Sequence, residues 1–190
     1  MRDGYFLQSE WLVLNSPKIL ATDVQYSDDS TARAAGVLFS RWDSVEADRE
    51  IVAEIVNVAD YEPGQFYLRE LPCLLRLIEM VQCRIDAMIV DGYVWLDHSR
   101  PGLGAKLFQA INEKVPVIGV AKSPFRDAPA IEIRRGTSQS LLFITAAGMS
   151  TTDAADLVQK MDGDHRIPTL LRRVDQLCRE LVQPKPESSS

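Results

Sequence analysis

Cysteine and histidine are scarce in this 190-residue chain, and their scarcity excludes two common frameworks. The three cysteines, Cys73, Cys83 and Cys178, are odd in number and form no Cys-x-x-Cys pair, which excludes a disulfide-stapled scaffold. Cys73 and Cys83 fall in a segment of helical periodicity, so burial inside a core is their expected role. With only His98 and His165 present, a histidine-rich zinc site is excluded too. No apolar run approaches the roughly 20 residues that span a bilayer. The leading Met-Arg-Asp-Gly-Tyr-Phe lacks a secretory apolar stretch, so a cytoplasmic protein without membrane contact is expected. Positive charge is in deficit: 21 Lys and Arg against 27 Asp and Glu leave a net charge of −6. A broad basic face is therefore not expected, and any nucleic acid must be held by local geometry and bound cations.

What is present suits one α/β domain over residues 1–182, followed by a Pro/Ser-rich tail, 183–190, expected to be disordered. Lys18–Tyr26, Ala32–Trp42 and Ile51–Val58 read as strands, and their short links predict an antiparallel meander. Tyr61-Glu-Pro-Gly64 reads as a turn. Leu71, Leu74, Leu75, Ile78 and Val81 follow helical spacing up to about Cys83, and Pro72 suggests that the regular helix starts close to Glu70. Ala87–Asp91 and Val115–Lys122 are apolar runs of the kind buried on both faces, with a helix from about Gly104 to Glu113 between them. That alternation predicts right-handed parallel crossovers. Ile131–Arg135 and Leu141–Ala146 predict a hairpin, Ser150-Thr-Thr-Asp153 a helix start, and Thr169–Leu181 a last helix.

Three acids occupy positions where structure alone gives little reason for one. Asp23 interrupts an apolar strand, Asp91 ends another and precedes Gly92, and Glu70 stands at a helix start beside the apolar face. Ligands of open α/β sheets gather at the carboxyl ends of strands. Carboxylates gathered there repel unless a cation joins them, and an all-oxygen set suits magnesium. The blander roles are a turn or cap for the aspartates and a macrodipole partner for the glutamate. Spacing alone leaves both readings open.

The segments around these acids resemble the endonuclease V family, in that family's order. Ala21-Thr-Asp23-Val resembles its first metal-binding strand, and Tyr61-Glu-Pro-Gly-Gln-Phe-Tyr-Leu-Arg-Glu70-Leu-Pro its Tyr-x-Pro-Gly to Arg-Glu-x-Pro segment. Val90-Asp91-Gly92 and Val115-Pro-Val-Ile-Gly-Val-Ala-Lys122 match two further motifs, and Leu142-Phe-Ile144 and Arg166-Ile-Pro168 resemble later landmarks. The resemblance implies a ribonuclease H-like fold: a mixed, five-stranded central sheet flanked by helices. It also implies a hydrolase of DNA repair, a magnesium-dependent endonuclease (manganese substituting) that cuts DNA or inosine-containing RNA near deaminated bases. Asp23, Glu70 and Asp91 are then the metal ligands, and Lys122 joins them as a catalytic cation near the scissile phosphate, a place otherwise read as a solvated strand-end lysine. Tyr61, Pro63, Gly92, Tyr93, His98 and Arg100 are the implied nucleic-acid contacts.

The departures from the family pattern are specific. After Leu-Phe-Ile the family usually carries a further metal-site residue, commonly His, whereas Thr145-Ala-Ala-Gly-Met-Ser150 has none. Asp153 or Asp156 could substitute if the next helix shifts, with capping the blander role for Asp153. Where the family has a strand-separating wedge, this chain has Asp60-Tyr61-Glu62-Pro63 with two acids, and the loop after Val-Asp-Gly is bulky, with Tyr93, Val94, Trp95 and Leu96. These changes predict weaker discrimination of inosine. They also support an alternative: a catalytically weak relative that binds nucleic acid or a protein partner.

Overall fold

The computed structural model describes residues 17–27, 31–56, 58 and 67–180. The turn expected at Tyr61–Gly64, with the candidate contacts Tyr61 and Pro63, lies outside the described residues, as does the tail 183–190.

Strands β1 (Ile19–Tyr26), β2 (Ala32–Phe39) and β3 (Arg49–Ile55) form the expected antiparallel meander, with Ile19 opposite Phe39 and Ala32 opposite Ile55. Helix α1 (Tyr67–Glu79) leads to β4 (Ala87–Asp91), which lies parallel to β1 with Thr22 opposite Val90. Helix α2 (Leu103–Ala110) leads to β5 (Val117–Ala121), parallel to β4. Strands β6 (Ile131–Ile133) and β7 (Leu142–Ala147) pair antiparallel, and β7 also pairs antiparallel with β5. Helices α3 (Thr151–Lys160) and α4 (Thr169–Arg179) complete the order. The sheet runs β3-β2-β1-β4-β5-β7-β6. It is a ribonuclease H-like mixed sheet, with seven strands where the resemblance implies five, because the β6–β7 hairpin joins the sheet at the edge of β5.

Strand alternation divides the core into two layers. Ile19, Ala21, Ile89 and Ile118 face a cluster with Val158 of α3 and Val174 and Leu177 of α4. Leu20, Met88, Val90 and Val117 face the opposite cluster, with Leu74 and Leu77 of α1 and Leu107 of α2. Each fully buried leucine or isoleucine here contributes about 1.5–3 kcal/mol relative to exposure. Among the described residues no helix is long and apolar enough to cross a membrane.

Several boundaries differ from the sequence reading. Helix α1 is already formed at Tyr67, so Pro72 sits inside it. Its ring removes one ladder bond, the one to the carbonyl of Leu68, which is on an exposed face where water can take the vacant place. The helix ends at Glu79, where Met80 N–H donates to Leu77 O and Val81 N–H to Ile78 O in a tightened last turn. Cys83 therefore lies beyond the helix and is exposed, whereas Cys73 and Cys178 are buried. Helix α2 stops before Asn112 and Glu113, both left-handed at φ 60° and 57°. Glu113 N–H there closes back on Phe108 O at 2.9 Å.

Candidate active site

β1 is longer than its neighbour β4, and the site is built on that difference. The paired register of the two strands ends at Thr22 and Val90, so Asp23 and Asp91 follow at the point where the strands part. By alternation both lie on the α4 side of the sheet, as do Ile19, Ala21 and Ile89. Thr22 secures the junction from within: its hydroxyl donates to Ile89 O at 3.1 Å. The chain leaves β4 through Gly92, at φ 127°, and returns across Gly119 of β5. A Cβ on Gly119 would stand 2.5 Å from Gly92 O and 2.8 Å from Val94 N, so only glycine permits this close crossing.

Glu70 enters from α1 and is 4% exposed. One of its carboxylate oxygens, Oε2, is buried without a hydrogen-bond partner. Burial, and then the charges of Asp23 and Asp91, push its pKa up to about 8. Burial and then the charge of Asp91 push Asp23 up to about 6, against an opposing hydrogen bond to Asp23 Oδ1 from Val24 N–H at 2.9 Å. The three acids thus share one electrostatic neighbourhood. Among the described residues no three His, Cys, Asp or Glu side chains stand close enough to chelate one ion as they are. Like charges hold carboxylates apart in the absence of a cation.

Lys122 supplies the positive charge of the site. Its ammonium donates to Asp91 Oδ2 at 2.6 Å from just beyond the end of β5, and both side chains are substantially exposed. Burial pulls the lysine pKa down. The Asp91 hydrogen bond and the charges of Asp91, Asp23 and Asp175 outweigh that and raise it. Asp23, Asp91 and Lys122 line a cavity of about 20 Å³ floored by Ile89, Val90 and Val120, room for about one water-sized species.

Asp175 is the residue that the sequence reading missed. It lies on α4, and its carboxylate is held low first by a hydrogen bond from Arg179, with Lys122 and a side-chain hydrogen bond with Asp23 also contributing. The neighbouring Cys178 thiol donates to Asp23 O at 3.1 Å, so this face of α4 lies against β1. The available signal is spacing: Leu171, Asp175 and Cys178 fall on one helix face. The i,i+4 pair of Asp175 with Arg179, at 2.9 Å, gives the same aspartate an ordinary surface role, which masks the signal. Asp153 instead lies in the first turn of α3, capped by Ser150: its N–H donates to Ser150 Oγ at 3.0 Å and its carboxylate accepts from that hydroxyl at 2.7 Å. Asp156 is exposed on the same helix.

A second, wider cleft adjoins Glu70 and Asp91. Gly92, Tyr93 and Arg100 line it, with Lys106, Phe125 and Tyr67. The Tyr93 hydroxyl is bonded to Ser123 O and Phe125 N–H, and its ring packs against Phe125 at 5.9 Å. The Arg100 guanidinium lies 5.2 Å from the Phe125 ring. Trp95 is turned to the fold, its Nε1 donating to Ala146 O at 3.1 Å. His98 is exposed at the tip of the same loop, outside the cleft lining.

A family model, Endonuclease V, matches residues 9–150. The endonuclease V of Streptomyces coelicolor is 30% identical over 193 residues, covering 87% of this chain and 79% of that protein. The structure is similar to Ciona intestinalis endonuclease V in complex with an inosine-containing DNA, with a TM-score of 0.76, 16% identity, and coverage of 87% of this chain and 85% of that one. It is also similar to the catalytic domain of human endonuclease V, with a TM-score of 0.72, 22% identity, and coverage of 94% and 87%. The span of the family match, and a relative that covers most of both chains, place this chain in the endonuclease V family.

Proposed function

We propose that this chain is a magnesium-dependent endonuclease that hydrolyses a phosphodiester bond beside a deaminated base, inosine above all, in DNA or RNA, and that it serves DNA repair. Family membership places it among nucleases of the hydrolase class. The observation that carries the finer reading is Glu70: a carboxylate 4% exposed, with one oxygen unpartnered, close enough to Asp23 and Asp91 for their charges to raise its pKa. Burying such a group without a partner is costly. An all-oxygen set with an unsatisfied buried acceptor suits a hard divalent cation, magnesium or manganese.

In this reading Asp23, Glu70 and Asp91 hold the metal, and Asp175 completes the acidic set from α4. Bound magnesium supplies the charge that lowers the pKa of an attacking water and offsets the developing charge on the leaving oxygen. Lys122 exchanges its Asp91 partner for a non-bridging phosphate oxygen as the substrate enters. The wide cleft takes the base beside the cut, with Gly92 allowing close approach and Tyr93, Phe125 and Arg100 forming one wall. Tyr61 and Pro63 contribute to opening the duplex, and His98 contacts the strand from outside the cleft. We read residues 1–182 as one domain of a cytoplasmic protein.

The test is a cleavage panel in magnesium and in manganese. It sets inosine-, uracil- and mismatch-containing DNA and inosine-containing RNA against unmodified controls, with Asp91→Ala beside the wild type. Nicking at inosine that is lost in the variant supports the reading. Tight binding without nicking on any substrate identifies a binding protein instead.

A further inference from the structure

Lys122 stands at the head of an exposed loop: every residue from Ser123 to Asp127 is exposed, so no core packing fixes the chain there. Two side chains from distant segments hold it. On one side, the guanidinium of Arg166 donates to the backbone carbonyl of Lys122 itself and, through Nε at 3.0 Å and through its terminal nitrogen, to Leu141 O. Those carbonyls lie where the β5–β7 ladder stops, just beyond its last pair, Ala121 with Phe143. On the other side, Tyr93 reaches over from the loop that follows Asp91. Its hydroxyl donates to Ser123 O at 2.8 Å and accepts from Phe125 N–H at 3.0 Å.

We propose that Tyr93 and Arg166 are positioning residues for Lys122, forming a two-point clasp that grips its own peptide and the next and so aims its ammonium at the Asp91 edge of the site. The inference rests on the nuclease reading for the role of Lys122, and on the hydrogen bonds of Tyr93 and Arg166 for the clasp. A lysine side chain has many rotamers, and an unpinned exposed backbone multiplies the places its ammonium can occupy. Fixing two successive peptide units removes that freedom before the substrate arrives, which is worth most for a group that must meet charge developing on a phosphate. The planar fork of arginine spans two carbonyls at once, which an ammonium in its place does not do. The tyrosine hydroxyl is both donor and acceptor here, so phenylalanine keeps the ring contact with Phe125 and loses only the clasp.

The experiment uses the full chain with Tyr93→Phe, Arg166→Lys, Lys122→Met and each clasp variant combined with Lys122→Met. Single-turnover nicking of an inosine-containing strand should fall about 10- to 100-fold in either clasp variant. The oligonucleotide Kd should stay within about twofold in Arg166→Lys, a residue outside the cleft that takes the base. In the Lys122→Met background the clasp substitutions should slow nicking no further, because residues acting through one group are not additive. A purely structural role predicts the same fold-loss in both backgrounds, and that result overturns the proposal. Hydrogen exchange at the Phe125 amide gives a readout free of catalysis: it should speed up at least tenfold in Tyr93→Phe, and unchanged exchange overturns the clasp. If the wild type nicks no substrate, the nuclease reading fails, and the exchange result alone then decides whether the clasp exists.

Discussion

The Lys122 ammonium and the Asp91 carboxylate meet at 2.6 Å across the carboxyl ends of two adjacent parallel strands. One partner is the cation expected to face the scissile phosphate, and the other is an acid expected to hold metal. In the proposed mechanism each occupies the other until a metal and a substrate arrive. Lys122→Met should therefore lower single-turnover nicking about 100-fold while changing oligonucleotide affinity little. Equal losses in rate and affinity would make Lys122 a general phosphate contact.

The pKa values predict how stability depends on pH without divalent metal. Glu70 is raised from 4.5 to about 8, so between these values the folded state keeps a proton that the unfolded state has released. Stability must then fall as pH rises through that window and level off above it. Asp23, raised from 3.8 to about 6, adds a fall of the same sign at lower pH. Urea midpoints in chelator should decline from pH 5 to pH 8. Glu70→Gln should flatten the decline and stabilise the chelated protein at pH 8 by up to a few kcal/mol, since each pH step of one across that window costs the wild type about 1.4 kcal/mol. A chelated Glu70→Gln protein less stable than the wild type at pH 8 contradicts this.

Asp175 should affect metal more than fold. Its carboxylate adds to the charges that raise Asp23, so Asp175→Asn should lower the Asp23 pKa, and losing its partly exposed pair with Arg179 should lower the melting temperature in chelator only slightly. The magnesium concentration for half-maximal nicking should rise about 10- to 100-fold. A metal titration identical to that of the wild type would return Asp175 to its surface pairing with Arg179.

Gly119→Ala tests the crossing beneath the site. The added Cβ would press on Gly92 O, Thr145 Oγ1 and Val94 N, all at 2.8 Å or less. Relief requires displacing the loop that follows Asp91, at about 1–3 kcal/mol. Denaturant unfolding should show that loss together with a drop in nicking. Full activity in the variant would mean that the loop moves without disturbing Asp91.

Selectivity is expected to be loose. The bulky loop after Asp91 commits Trp95 and the Tyr93 hydroxyl to the fold, which leaves an open cleft in place of a snug pocket. Nicking rates on single-stranded and mismatched inosine substrates should exceed those on well-stacked duplex inosine. Exclusive cutting at duplex inosine would show that the cleft closes around the base.

Local pattern carries much of this in the sequence. The apolar run that ends in Asp91, and the acid that breaks the Lys18–Tyr26 strand, are legible because buried strands leave little reason for a carboxylate. Asp175 is not legible, because only the packing of α4 against β1 distinguishes it from a surface acid paired with Arg179. Arg166 is legible as part of a motif, but its hold on the Lys122 carbonyl depends on where β5 and β7 end side by side. Apolar spacing that continues through Val81 points to a helix as far as Cys83, whereas the backbone leaves the helix after Glu79. Periodicity shows which face an element presents and leaves its end to local hydrogen bonding.

The most direct measurement compares single-turnover nicking of one inosine-containing strand by the wild type and by Asp91→Asn, each with magnesium and with chelator. Cutting beside the inosine is expected only for the wild type with magnesium, with background rates in the other three reactions. Undiminished cutting by Asp91→Asn, or by the wild type in chelator, would contradict a metal site built on Asp23, Glu70 and Asp91.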